Sequence, residues 1–349
     1  MKIVIIVDKL SSVRVWALAA RTVFPQLDPE RSIALTVNPY SQRIFALPNR
    51  LSASDFPFAR PPSFDEIDLS TPTTYHGRHG AVSIPKVRNV DGAPISLSRS
   101  DVVVRMHEAD LILDGTDPWP SDKAMFDLIW AQTFGGGPEE SIAAPVAMDH
   151  SASATVAALE LANRERGRSR VAHLVRYGRS KWRFQYGFTV NANAILKPLQ
   201  RVAGCSADAP PLSPFSLQLL YALKNSGPLT ASKIIDLMSR WTGSGRYPPR
   251  RDDSTRMTAF GSPASRSLII ENLQRAHLVT SADSGILKVS PRGNLLLELL
   301  HPDCQDPDLS FRLDEWFRLP EPEAHVKVDR YLRTFFGKQM RFQGGLSIV

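Results

Sequence analysis

Three carboxylates, Asp114, Asp117 and Asp122, fall within nine residues directly after a short apolar run, Leu111 to Leu113. A fourth, Asp8, follows a second such run, Ile3 to Val7. Acids clustered where buried strands end are the usual raw material of a Mg²⁺ site, because that hard cation prefers oxygen ligands and accepts as few as one or two carboxylates with water. The same acids also serve as strand-end residues that cap a helix or pair with a cation. Trp119, flanked by Pro118 and Pro120, stands where a fuller acidic motif would place a further carboxylate. The segment therefore reads as the remnant of a metal site, in which Asp8 and Asp117, joined by Asp114 or Asp122, would hold Mg²⁺ only weakly; no other cofactor is expected.

A second chemistry lies between Arg164 and Arg183, where eight Lys or Arg meet one acid, with Tyr177, Trp182, Phe184 and Tyr186 interleaved. Basic residues with aromatics suit a phosphate backbone and stacked, unpaired bases. A solvated helix face whose aromatics point inward gives the same composition.

These residues need elements to position them. "KIVIIVDKLSS" followed by "VRVWALAARTVF" predicts a buried strand, a loop and a helix, the opening of an α/β unit with a parallel sheet. Residues 32–37, 101–104 and 110–114 are expected as further strands. Residues 48–100 read as an irregular excursion, and residues 123–134 as a helix stopped by Gly135-Gly136-Gly137. Residues 204–214 read as a linker into two helices and the polar loop "TGSGRYPPRRDDSTRMTAFGSP". A helix capped by Ser262 with Pro263 in its first turn, a hairpin turning at Gly285 and a last helix opening at Pro291 follow, which is the winged-helix pattern. The expected organisation is an α/β domain over 1–150, a basic helical connector over 151–205 and a mainly α domain over 206–349.

The chain of 349 residues has room for two domains. Its net charge of +7 and pI near 9.5 lean toward a polyanionic partner. Cys205 and Cys304 form no metal or redox spacing, the N-terminal apolar run is short for a signal peptide, and no stretch reaches membrane-span length. The expectation is a cytoplasmic protein without a membrane partner.

Several segments together resemble a type IA DNA topoisomerase, most closely the topoisomerase III branch. "IIVDKLSSVRVWA" is similar to the opening of that family's Toprim domain, with Asp8 and Lys9 at the Glu-Lys positions of its Glu-Lys-Pro-Ser motif. "DLILDGTDPWPSD" resembles the second Toprim motif, but Trp119 replaces its second aspartate and Pro120-Ser121-Asp122 replace Arg-Glu-Gly. "RSKWRFQYGFTVNANAIL" matches the family at Arg179, Trp182 and Gly187, and "FGSPASRSLIIENLQRAHLV" matches at Gly261, Ala264, Ser265 and Arg266. Tyr247 in "RYPPRRDDST" echoes the nucleophile motif Tyr-Pro-Arg-Thr-Asp-Ser, though two prolines and an extra Arg alter its register. The arch that carries this tyrosine in the family has no room here, since little more than a linker separates Asn193 from Phe215.

The resemblance implies a Toprim-like parallel sheet followed by a winged-helix domain that grips single-stranded DNA and passes no strands. Phosphate contacts would come from Arg176, Arg179, Lys181, Arg183, Arg250, Arg251 and Arg266, with Ser265 beside them and Trp182 or Tyr186 stacking a base. Two alternatives stand beside this. One is a minimal Mg²⁺-dependent nicking or strand-transfer enzyme using Tyr247 or the Toprim acids, with Lys9 as a further catalytic candidate. The other is a non-catalytic subunit that docks a protein partner in DNA processing.

Overall fold

The computed structural model describes residues 1–36, 73–75, 78–80, 87–133, 139–147, 151–241, 260–261, 263–281 and 285–345. The first elements are β1 (Ile3–Val7), α1 (Leu10–Val23), β2 (Ile33–Thr36), β3 (Thr73–Tyr75), β4 (Arg78–Gly80) and β5 (Val87–Asn89). Next come α2 (Arg99–His107), β6 (Leu111–Asp114), α3 (Pro120–Thr133), β7 (Ile142–Ala143), α4 (Ala152–Arg164) and the long α5 (Ala172–Val202). The described residues up to Trp182 form one compact unit and those from Arg183 onward a second, so the division falls inside α5.

In the first unit, five strands lie in the order β5-β2-β1-β6-β7. β1 pairs in parallel with β2 and β6, β6 in parallel with β7, and only β5 runs antiparallel, at the edge. Every residue of β1, β2 and β6 is buried, which is why these strands read as unbroken apolar runs rather than alternating ones. Ile3, Ile5, Leu111 and Leu113 share a core with Trp16, Ala17 and Ala20 of α1 and Leu159 and Ala162 of α4. The indole of Trp16 lies so close to Gly115 that a methyl group there would sit 2.7 Å from Cδ1. Ile6 pairs with Asp114 across the sheet, so β1 and β6 end at the same edge and deliver Asp8 and Asp117 together.

One expected strand is a helix. Residues 101–104 are rich in valine, yet they lie inside α2, because Ser98 and Asp101 form a reciprocal capping box that satisfies two backbone N–H groups at the helix start. A local cap outweighs the β preference of a three-valine run in a segment that pairs with no strand. The irregular segment expected over 48–100 contains β3 and β4, paired with each other, and the edge strand β5. Ser262 and Gly135-Gly136-Gly137 lie outside the described residues.

The second unit continues with α6 (Pro214–Ser226), β8 (Leu229–Thr230), α7 (Ala231–Ser239), α8 (Pro263–Arg275), β9 (Val279–Ser281) and β10 (Ile286–Val289). α9 (Pro291–Leu299), α10 (Leu309–Phe317) and α11 (Glu321–Gly345) complete it. Its sheet is antiparallel in the order β8-β10-β9. Ser213, Thr230 and Ser290 cap α6, α7 and α9 by accepting a backbone N–H from the first turn. Phe184 and Phe188 on α5 pack with Phe317, Tyr331, Phe335 and Phe336 of α10 and α11. Among the described residues no helix is long and apolar enough to cross a membrane.

Candidate functional site

Open parallel sheets bind ligands beyond the carboxyl ends of their strands, where the loops leave room and helix N-termini gather. At that edge of the first unit the structure brings Asp8, Lys9, Asp117 and Asp122 together. Asp8 and Asp117 are 6 % and 7 % exposed, and two carboxylates so far from water require a counter-charge. Lys9, the residue before α1, supplies it. Its Nζ lies 2.5 Å from Oδ2 of Asp117 and 3.1 Å from Oδ2 of Asp8. The hydrogen bond to Asp117, helped by Asp8 and opposed by burial, holds the ammonium proton well above the usual lysine range.

Asp122 stands in the first turn of α3, which normally favours a carboxylate anion. Here burial, followed by the charges of Asp8 and Asp117, pushes its pKa up to about 7, against the opposing pull of Lys9 and Lys181. Burial in turn pushes Lys181 down, and Asp122 opposes that shift. Trp119 is 39 % exposed between Asp117 and α3. Gly178 of α5 closes the arrangement: a methyl group there would lie 2.1 Å from the Pro120 carbonyl oxygen, so only glycine lets the two backbones approach.

As a metal centre this donor set fits poorly. One oxygen each of Asp8 and Asp117 already holds a lysine ammonium, and burial with the Asp8 and Asp117 charges pushes Asp122 toward its neutral form. Oδ1 of Asp8 is buried without a hydrogen bond from any described residue. Among the described residues no group of three or more His, Cys, Asp or Glu is arranged to hold a metal ion.

Asp114 belongs to a different group. Fully buried, it faces Lys123 Nζ at 3.1 Å and Arg168 Nη2 at 3.6 Å, and it accepts the Thr116 hydroxyl at 2.5 Å. Arg168 also donates to Asp127 at 2.5 Å and stacks over the Phe126 ring, and Arg179 reaches Asp127 at 3.3 Å. Lys123 is fully buried, and burial drives its pKa down. This network of five charged groups was not foreseen in the sequence. The one signal for it is a lysine and an aspartate, Lys123 and Asp127, set around the apolar Ala124-Met125-Phe126 of α3.

The basic run divides along α5. Arg176 is exposed and Arg179 half-buried, while Trp182 is 4 % exposed and presents almost no ring face to solvent. Arg183 is buried and grips Asp329 with two hydrogen bonds, Nε to Oδ1 at 3.0 Å and Nη2 to Oδ2 at 2.8 Å. Tyr186 is half-buried. At the start of α8, the Arg266 Nε–H donates to the Gly261 carbonyl at 3.3 Å. Gly261 has φ +80°, and a methyl group there would press on Ile269 at 3.0 Å and the Ser265 hydroxyl at 3.3 Å, so the glycine sets this turn. Tyr247, Arg250 and Arg251 lie outside the described residues. No protein-family model matches this chain, and no curated protein and no solved structure matches it either.

Proposed function

We propose that this chain is a non-catalytic, topoisomerase-derived protein that holds single-stranded DNA and works beside other DNA-processing proteins. The observation that carries this reading is Trp119, which stands in place of the second aspartate beside the ion cluster of Asp8, Lys9 and Asp117. At the sheet edge where the resemblance places a Mg²⁺ site, the chain's own ammonium lies between Asp8 and Asp117. One ammonium offsets only one of the two carboxylate charges, so Mg²⁺ competes with Lys9 for the pair and binds weakly. Holding a strand needs no metal; it needs cations that neutralise phosphates.

In this reading the first unit is a Toprim-like domain, and the order α6-β8-α7-α8-β9-β10 with sheet order β8-β10-β9 is a winged helix. Charge supports a DNA partner unevenly along the chain. From Arg183 to the C-terminus lie 21 of the 42 Lys and Arg but only 15 of the 35 Asp and Glu. Arg176 and Arg179 in the first unit and Arg266 in the second each contact phosphates, while Trp182 serves as core support rather than as a stacking platform.

Covalent trapping tests the reading. The protein is incubated with labelled single-stranded oligonucleotide and Mg²⁺, and the same tubes are run on native and denaturing gels, with Tyr247→Phe alongside. A retarded native band without a denaturation-resistant adduct is expected. An adduct that disappears in Tyr247→Phe would make the chain a compact strand-cleaving enzyme. Absence of any retarded band, with co-purification of a protein partner, would make it an interaction subunit.

A further inference from the structure

We infer that the outer face of α11 is a second nucleic-acid contact, a phosphate-tracking stripe formed by Lys327, Arg330, Arg333 and Arg341. The inference rests on the proposal that the chain holds DNA and names a surface that neither the Toprim-like nor the basic α5 segment accounts for. On α11, Ala324, Val328, Leu332, Phe335, Phe336 and Gln339 are buried, which fixes the inner face. The four cations stand on the opposite side, all exposed, with spacings of three, three and eight residues that keep them within one third of the helix circumference. They extend along about 21 Å of the helix axis at 1.5 Å per residue.

Three features separate this stripe from an ordinary solvated face. None of the four makes an ion pair or side-chain hydrogen bond with a described residue, whereas the neighbouring Lys338 pairs with Asp303 and Asp329 is taken by Arg183. Residues 330–349 contain no Asp or Glu, and the exposed Glu323 stands one turn before Lys327, at one end of the stripe. Lys327 with Arg330 and Arg330 with Arg333 are like charges three apart and so neighbours on the helix surface, whose mutual repulsion a bound anion relieves. An anionic membrane is the weaker match. A helix that lies in a bilayer surface carries Trp, Phe or Leu beside its basic residues, and the large apolar side chains exposed on α11 are only Val326 and Met340.

The test is salt-dependent binding of a labelled single-stranded oligonucleotide by the full chain and by Arg330→Gln/Arg333→Gln/Arg341→Gln. Losing three phosphate contacts should reduce the slope of log K against log salt by about 2 and weaken binding at 0.15 M salt about 50-fold. The variant Arg330→Lys/Arg333→Lys/Arg341→Lys, which keeps the charges, should retain the wild-type slope. A glutamine variant with wild-type slope and affinity would overturn the stripe while leaving DNA holding intact. A wild-type protein that fails to bind the oligonucleotide would overturn both. Unchanged DNA binding with stripe-dependent capture by phosphatidylserine vesicles would transfer the face to a membrane and overturn the inference.

Discussion

Asp122→Asn keeps the shape of the side chain and one carbonyl acceptor but removes its titration. In the folded protein Asp122 keeps its proton up to about pH 7, because burial and the Asp8 and Asp117 charges disfavour its anion. In the unfolded chain the same group ionises near 3.9. Between these values the folded state binds more protons than the unfolded state, so this group lowers stability as pH rises from about 4 to 7 and adds no further loss above that. A shift of about three units at 1.36 kcal/mol each sets a ceiling of about 4 kcal/mol. Asp122 retains some contact with solvent and with Lys9, so about 1–3 kcal/mol is the expected size. Asp122→Asn should therefore match wild type near pH 4 and become more stable by that amount above pH 7. Urea unfolding at pH 4.5, 6 and 8, with matched m-values, measures the difference. A variant that is less stable at pH 8, or whose difference from wild type is independent of pH, would refute the electrostatic description of this sheet edge.

Three further substitutions probe the same unit. Lys9→Gln leaves Asp8 and Asp117 without their counter-ion and should cost about 1–3 kcal/mol, with part of the loss restored by millimolar Mg²⁺. The check is thermal unfolding with and without the cation, and wild type should show no comparable Mg²⁺ stabilisation. Asp114→Ala strands Lys123 in a buried site and should cost about 3–5 kcal/mol in denaturant unfolding; a loss below about 1 kcal/mol would show that the network contributes little. Gly178→Ala should destabilise even though alanine is the better helix former by about 1 kcal/mol, because the new methyl group meets the Pro120 carbonyl. A more stable Gly178→Ala protein would mean that α5 and α3 do not approach as closely as described.

The parts of the fold visible in the sequence are those governed by a single strong pattern. Ile3–Val7 and Leu111–Leu113 are continuous apolar runs, which parallel strands buried on both faces require, and an acid that reaches the site, Asp8 or Asp117, lies beyond each. Asp8, Lys9 and Asp117 were thus legible as a group, but not the role of Lys9 as the cation between the two acids, which depends on the register of β1 against β6. Asp114 looked equivalent to Asp117 because a sequence does not show that Lys123 turns inward to meet it. The valines at 102–104 misled because strand preference is weaker than a helix cap. Composition left open which basic residues of α5 face water. Only the packing of Trp182, Phe184 and Phe188 separates exposed Arg176 from buried Arg183, and the partner that holds Arg183 is Asp329, 146 residues away.

The central claim we propose is that the chain holds single-stranded DNA without a metal, with Lys9 between Asp8 and Asp117. The most direct measurement is fluorescence anisotropy of a labelled single-stranded oligonucleotide, titrated with the protein across a salt series in EDTA and again in Mg²⁺. Binding in EDTA that weakens linearly in log K against log salt, and that Mg²⁺ does not strengthen, is the predicted result. Binding that appears only with Mg²⁺, or no binding at any salt concentration, would contradict it.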